Sequence, residues 1–341
     1  VLSGSTAAST QEYAMASPGH DAVADSPATA RAPLYIVLNS GSGKDDADEA
    51  ARQIAAILTA ANRAHDIIRL GDSMSMEQAT SNAVAAARRT GGILVGAGGD
   101  GTLNAVAQAA LASGCPFGVI PQGTFNYFAR THGIPQDTRE AVRALLTARI
   151  CEVPVGRVNE QLFLVNASVG LYPETLEARE QQKQRHGRRR SVAVWAALLT
   201  VLREHRPLRL RVELQSKVHE VSTLTFFVGL NRLQLEQAGL DTDKPSPWQL
   251  TAVVLKPVST ARLLWLMVKG AMGDLAQEQG VETFTFSRLA VAPANARVRQ
   301  MKVATDGETR WMTAPLEFRI AAEPLRLLVP VNPDGAGEVR M

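Results

Sequence analysis

Gly98-Gly99-Asp100-Gly101-Thr102 closes an apolar run, Ile93-Leu94-Val95, and opens a helix-patterned stretch from Leu103 to Leu111. A strand that turns through glycines into a helix presents backbone N–H groups and the positive end of a helix dipole at the strand's carboxyl end. This junction therefore constrains the chain to a sheet covered by helices, with an anion site at the strand ends, and its spacing points to the phosphates of a nucleotide. A carboxylate in such a cradle repels an anion unless it meets a metal or a hydroxyl, so Asp100 favours a metal-linked triphosphate. Two commoner phosphate motifs fail. Gly96, Gly98 and Gly101 satisfy G-x-G-x-x-G, but the next strand ends Val119-Ile120-Pro121-Gln122-Gly123-Thr124, without the acid that would hold a ribose. Gly41-Ser42-Gly43-Lys44 resembles the end of a P-loop, yet the motif's first glycine would fall on Leu38 and its hydroxyl on Asp45.

Around this turn the pattern alternates. Strands are expected at 34–38, 66–70, 93–95 and 117–120, with helices at 46–64 and 76–89, the latter stopped by Gly91-Gly92. That alternation predicts a parallel sheet with helices on both faces and ligands beyond the strand ends, where Asn39–Lys44, Gly96–Thr102 and Pro121–Asn126 lie. After a helix at 138–148 the period changes to two, with strands at 150–158 and 161–166 joined by Asn159-Glu160, and further strands at 208–214, 224–228, 250–255, 284–292, 298–304, 316–321 and 325–329. The expected fold is thus α/β: an N-terminal parallel-sheet nucleotide-binding domain over 33–149 and a C-terminal antiparallel β-sandwich over 150–330. The sandwich carries helical inserts near 192–204 and 261–277. Residues 1–32, rich in Ala, Ser, Thr, Gly and Pro, read as a disordered leader, and 331–341 as a tail.

A chain of 341 residues with 45% hydrophobic content can bury two cores. Thirty-six Lys and Arg against 33 Asp and Glu leave a net charge of +3, too small a bias for nucleic acid to be a partner. Cys115 and Cys151 form no disulfide framework and stand at no metal-ligand spacing. There is no run of about 18 apolar residues and no basic-then-apolar start, which predicts a cytoplasmic compartment.

Four motifs in one order then carry a resemblance to a known family. These are Asn39-Ser40-Gly41-Ser42-Gly43, with Ser40 in place of a proline; Gly98 to Asn104, as G-G-D-G-T-x-N; Pro121 to Arg130, as P-x-G-T-x-N-x-F-A-R; and Asp306-Gly307-Glu308 followed by Pro315-Leu316. From about Pro33 to Pro330 the chain resembles the diacylglycerol kinase catalytic family of lipid kinases, in its bacterial soluble branch, whose nucleotide domain is similar to that of NAD kinases. The resemblance implies ATP and Mg2+ as cofactors, a lipid substrate at an anionic membrane surface, peripheral attachment to that surface and room for a homodimer. It implies that Asn39, Ser42, Gly43, Gly99, Gly101, Thr102 and Thr124 hold phosphates, with Ser40, Gly41, Gly98 and Leu103 in the same cofactor-binding loops. Asn104 and Asn126 would fix the nucleotide or its loops, and Asp100 would serve metal or ribose. Lys44 would offset phosphate charge or remain an exposed cation. Glu308 would accept the proton of the lipid hydroxyl, with Asp306 assisting or meeting metal; which residues bind the metal stays open. Asn166 to Gly170 resembles a further N-x-x-x-G signature, read as structural at a strand-to-helix crossing.

The chain departs from the family pattern where Tyr127 follows Asn126 in place of an acid, where 231–248 lacks a Gly-rich segment and Asp-Gly, and where Leu70-Gly71-Asp72 lacks a threonine. The structural metal site of some members is thereby in doubt at Asp241 and Asp243. Lys183, Arg185, His186, Arg188, Arg189 and Arg190 precede Val192, Val194, Trp195, Leu198, Leu199 and Leu202, a pattern that fits membrane docking and equally a solvated basic face beside a core helix. Residues 263–268 suit a buried helix face better than an acyl-chain cleft. Two other functions fit the same motifs: a kinase of a soluble nucleotide such as NAD, and a catalytically silent nucleotide-binding module that recruits partners to membranes.

Overall fold

A computed structural model describes residues 31–39, 44–71, 74–123, 125–170, 207–230, 248–259, 262, 265 and 280–331. The first half alternates as its periodicity demands. Strand β1 (Leu34–Asn39) leads to helix α1 (Lys44–Ala60), β2 (His65–Arg69), α2 (Met76–Thr90), β3 (Ile93–Gly98), α3 (Asp100–Ser113) and β4 (Phe117–Pro121). A short α4 (Tyr127–Thr131), α5 (Thr138–Thr147) and β5 (Arg149–Val153) follow. Local chemistry sets the helix ends. Ser75 and Gln78 form a reciprocal capping box at the start of α2, and Gly91, with φ of 65°, ends it in the left-handed conformation. The Asp137 side chain accepts from the N–H groups of Arg139 and Glu140 at the start of α5.

Beyond β5 run β6 (Gly156–Val158), β7 (Gln161–Phe163), β8 (Asn166–Gly170), β9 (Leu208–Leu214), β10 (Lys217–Thr223), β11 (Thr225–Gly229) and β12 (Leu250–Leu255). The last strands are β13 (Val281–Phe286), β14 (Arg288–Pro293), β15 (Gln300–Thr305), β16 (Glu308–Thr313), β17 (Leu316–Ile320) and β18 (Leu325–Val329). They form three sheets, in the orders β2-β1-β3-β4-β18-β5, β10-β9-β14-β17-β6-β7 and β13-β12-β11-β8-β15-β16. The first is parallel except where β18 meets β5. Helices α2 and α3 cover one face of it, around Ala83, Val106 and Phe117, and α1 and α5 cover the other, around Ile54, Val142 and Val95. The other two sheets are antiparallel and share one core, in which Phe226 and Phe318 meet across the layers at 6.2 Å. An α/β domain with a parallel sheet, joined to an antiparallel sandwich, is the observed architecture.

Several boundaries differ from the sequence reading, each for a physical reason. The strand expected at 150–158 is two, and its first part, β5, belongs to the parallel-sheet layer; so does β18, expected in the sandwich. Both are buried on two faces: Ile150 and Leu328 pack in one core while Val153, Leu325 and Leu327 pack in the other. Such burial belongs to the interior of a helix-covered sheet. The strand expected at 284–292 breaks at Ser287, where the chain passes from one sandwich sheet to the other. Asn166–Gly170 is a strand, β8, and the expected crossing to a helix after it lies outside the described residues. Gly170 has φ of 102°, and a Cβ there would run into the Leu224 carbonyl. The basic segment at 183–190, its following helix, Asp241, Asp243 and most of the expected helix at 261–277 lie outside the described residues.

Candidate active site

Strand β1 has β2 on one side and β3 on the other, so the chain passes from β1 to β2 and from β3 to β4 in opposite directions, and the crevice lies at the ends of β1 and β3. Asn39 and Gly98, the last residues of these strands, stand side by side in register. Asn39 Nδ2 donates to the buried Thr102 Oγ1 at 3.0 Å, tying the end of β1 to the first turn of α3. A Cβ on Gly98 would lie 2.7 Å from the Asn39 carbonyl and 2.9 Å from the Thr102 side chain, which is why glycine is required there. The third loop joins when Gln122 N–H donates to the Gly98 carbonyl at 2.8 Å, and a Cβ on Gly123 would come within 3.1 Å of the Gly99 Cα. Gly99 precedes α3 with no side chain capping the helix, so the first-turn N–H groups face the crevice as donors to an anion.

The opposite wall comes from the hairpin of β15 and β16, whose turn is Asp306-Gly307, with Glu308 opening β16. Asp306 takes φ of 48°, a conformation Asp tolerates, and Gly307 follows with φ of 89°. The Asp306 carboxylate accepts four hydrogen bonds: from Asn104 Nδ2 at 2.7 Å, Leu164 N–H at 2.7 Å, Val165 N–H at 2.9 Å and Asn166 N–H at 3.0 Å. Burial pushes its carboxyl up from the ordinary value, against the pull of these donors. With its acceptor positions filled, Asp306 serves as a strut that fastens the turn to α3 and to the link between β7 and β8. The expectation that it assists proton transfer or meets a metal is replaced by this positioning role.

Glu308, one glycine further, is free of such fastening. Its side chain is 58% exposed and its Oε2 lies 3.4 Å from Arg310 Nη2. The Glu308 carboxylate occupies the space that a Cβ on Gly101 would fill, directly against the first turn of α3. Arg310 Nη1 donates to Gln161 Oε1, and Gln161 Nε2 donates to Asn104 Oδ1 at 3.3 Å. Asn104 also donates to the Leu162 carbonyl at 3.0 Å, while Leu162 N–H donates to Gln108 Oε1 at 3.2 Å. A polar chain thus runs from the α3 helix through β7 to the acidic hairpin and holds the two walls at a fixed separation.

Asp100 stands at the base of the crevice. Burial, followed by the nearby Asp306 carboxylate, raises its pKa to about 6, against a hydrogen bond from the Asn126 N–H. Its Oδ1 is buried and has no hydrogen-bond partner. A buried acid with an unused oxygen suits a cation better than a ribose contact. Among the described residues no three acid, His or Cys groups cluster as a self-sufficient metal site.

Other expected site residues divide. Gly98, Gly99, Gly101, Asp100, Thr102 and Asn39 gather at the crevice. Asn104 and Asn126 fix loops: Asn126 Oδ1 accepts from Gly123 N–H at 3.0 Å, and its Nδ2 donates to the Gly123 carbonyl at 2.8 Å and to Gln136 Oε1 at 3.0 Å. Leu103 does not line the crevice. Its side chain is fully buried in the core beneath the sheet and its N–H is used by the Gly99 carbonyl. Ser40, Gly41, Ser42, Gly43 and Thr124 lie outside the described residues, as does the Lys44 side chain. Sequence reading missed Arg310, Gln161 and Gln108. The period-two spacing of Glu308 and Arg310 on one strand face was the available signal.

Fold and crevice define a class, a two-domain protein in which an uncapped glycine turn on a parallel sheet faces an acidic hairpin from a β-sandwich. Residues 33–158 match the family model of the diacylglycerol kinase catalytic domain, and this part of the chain belongs to that family. A diacylglycerol kinase of Staphylococcus haemolyticus is 28% identical over 200 residues, covering 58% of this chain and 60% of that protein. One from Staphylococcus saprophyticus is 25% identical over 234 residues, covering 67% and 74%. The chain thus spans less than two thirds of the first of these relatives. A crystal structure from Bacillus anthracis str. Sterne superposes with TM-score 0.66 at 19% identity, over 89% of this chain and 98% of that one. A second from that organism, a diacylglycerol kinase, gives 0.63 at 18%, over 89% and 97%. At these identities the superpositions establish the shared fold. No helix among the described residues is long and apolar enough to cross a membrane.

Proposed function

We propose that this chain is a lipid kinase, moving the terminal phosphate of ATP to the hydroxyl of a membrane lipid such as diacylglycerol or a ceramide-like or sphingoid alcohol. The observation that carries the reading is the contact between the Glu308 carboxylate and Gly101, which sets a proton acceptor beside the N–H donors of a helix start. Phosphoryl transfer asks for little covalent help: the phosphate must be held, its charge offset, and the acceptor hydroxyl aimed and relieved of its proton. The first turn of α3 would hold phosphate oxygens. Glu308 would take the hydroxyl proton as the lipid oxygen bonds to the terminal phosphorus and the bond to the bridging oxygen breaks, releasing ADP. Asp306, pinned by its four donors, keeps the hairpin at the height this requires. Mg2+, which would offset phosphate charge, fits Asp100, since that ion takes one or two carboxylates together with phosphate oxygens. The family of residues 33–158 and the names of the staphylococcal relatives support the lipid as acceptor. The enzyme would meet its substrate from the cytoplasmic side, attached to the membrane surface without spanning it.

The test is incubation with γ-labelled ATP and Mg2+ in mixed micelles carrying diacylglycerol, phosphatidylglycerol, ceramide or sphingosine, with NAD in a parallel reaction. Label should appear in one of the long-chain alcohols. Label in NAD alone, or in none of the panel, overturns the reading.

A further inference from the structure

At the end of the sandwich away from Asp306, the rim formed by β8, β9, β14 and β15 opens into a cavity of about 570 Å³. Leu208 and Met301 form part of its lining, and among the described lining residues there is no carboxylate, while Arg209 and Lys302 contribute positive charge. Trp311 stands at its mouth with 63% of its surface exposed, opposite Lys302 in register and with the Lys302 ammonium 5.3 Å from its ring centre. The turn between β14 and β15 projects beside it as Arg297-Val298-Arg299, where Val298 is 45% exposed and both arginines are exposed.

A soluble domain exposes a tryptophan at such a cost in apolar hydration that its setting is informative. An indole beside an ammonium, next to a valine bracketed by two guanidinium groups, matches the boundary of a bilayer: the apolar parts suit the acyl region and the cations suit phosphates above it. Trp311 stands on β16, the edge strand of its sheet among the described residues, but a peptide added to such an edge is held by backbone groups, whereas what this rim presents is an exposed indole and cations with no carboxylate among the described lining residues. We propose that this rim is a docking surface for an anionic phospholipid bilayer, with Trp311 and Val298 entering the headgroup boundary and Arg209, Arg297, Arg299 and Lys302 meeting lipid phosphates. The placement relates to the crevice in a useful way. Trp311 lies three residues from Glu308 along β16, about 10 Å at strand rise and on the other face of the strand, so the rim and the crevice share one strand and a lipid would pass around its edge to bring its hydroxyl to Glu308. In this respect the inference rests on the lipid-kinase reading, although the docking itself does not require turnover.

The experiment is sedimentation of the full chain with vesicles of phosphatidylcholine alone and with one third phosphatidylglycerol. The protein should partition at least tenfold better into the anionic vesicles. The triple variant R297E/R299E/W311A should lose at least tenfold in that partitioning, keep its melting temperature, and keep its turnover of a short-chain, monomerically dispersed lipid. W311A alone, which leaves every charge in place, should show a smaller loss, together with loss of tryptophan quenching by lipids brominated near the headgroup. Glu308→Gln should partition like the unmodified protein, so failure of the kinase reading leaves the docking result legible. Equal partitioning into neutral and anionic vesicles, or a triple variant that sediments like the parent, overturns the proposal. So does a loss in the triple variant that is matched by a lowered melting temperature while W311A alone changes nothing.

Discussion

The two walls of the crevice are made in opposite ways. The wall from the parallel sheet is backbone: Gly98 and Gly123 bring the ends of β1, β3 and β4 so close that side chains are excluded there, and Gly101 leaves the space that Glu308 fills. The wall from the sandwich is side chain: Asp306 anchors, Glu308 reaches and Arg310 stands beside it. A backbone wall is rigid because its donors belong to a helix and its spacing to strand register. A side-chain wall can place charge, and here it splits the labour between one carboxylate that is fully hydrogen-bonded and one that is left to react. The difference teaches that the two acids at one hairpin turn should fail in different ways when changed.

Asp306→Asn should have the largest effect on stability, because an amide nitrogen would be turned toward at least one of the four donors that the carboxylate satisfies. Leaving one or two buried N–H groups unmatched costs about 2–4 kcal/mol, which chemical denaturation would measure, and turnover should fall with it. Gly101→Ala tests the opposite wall. Its Cβ takes the space of the Glu308 carboxylate, and displacement of about 1 Å costs about 100-fold in turnover. Stability should hold or rise, since alanine is the better helix residue by about 1 kcal/mol. An active Gly101→Ala would break the idea that these walls act on one another.

Asp100→Asn probes charge on the backbone side. Burial and Asp306 lift the Asp100 pKa from 3.8 to about 6, so its ionisation costs the folded state stability above about pH 6, and the cost vanishes below about pH 4. The variant should therefore be more stable at pH 7.5 by about 1–2 kcal/mol after allowance for partial exposure, with the gain fading as pH falls through 6 to 4, followed by thermal melts across that range. Arg310→Gln should have the smallest effect, about tenfold in turnover with little change in stability, because the guanidinium is partly exposed and orients Glu308 without touching α3. Partial recovery in Arg310→Lys would separate positioning by charge from mere packing.

The glycine turn and the acidic hairpin were legible in the sequence because each is a compact motif whose residue types have few alternative uses. The sandwich was legible as a class but not in its strand partners. Period-two patterning tells that Phe284 and Ala292 lie in strands, yet it is silent on the change of sheet at Ser287. Strand β18 carried its own clue: Leu325, Leu327, Leu328 and Val329 form a near-continuous apolar run, the pattern of a strand covered on both faces. Leu103 was assigned to the crevice by its place inside a motif, although its spacing from Val106, Ala107 and Ala110 puts it on the buried helix face. Gln161 and Arg310 escaped because they meet only after two strands far apart in sequence are brought together.

The most direct measurement is Glu308→Gln, compared with the unmodified chain for phosphate transfer to the accepted lipid and, separately, for ATP affinity by calorimetry. Removal of a proton acceptor from a formed site predicts a fall in turnover of about 10²–10⁴-fold with ATP affinity unchanged within about twofold, since an amide neither repels phosphate more nor disturbs the glycine turn. Unaltered turnover in that variant would contradict the claim that the hairpin of the sandwich supplies the base to a phosphate held by the parallel sheet.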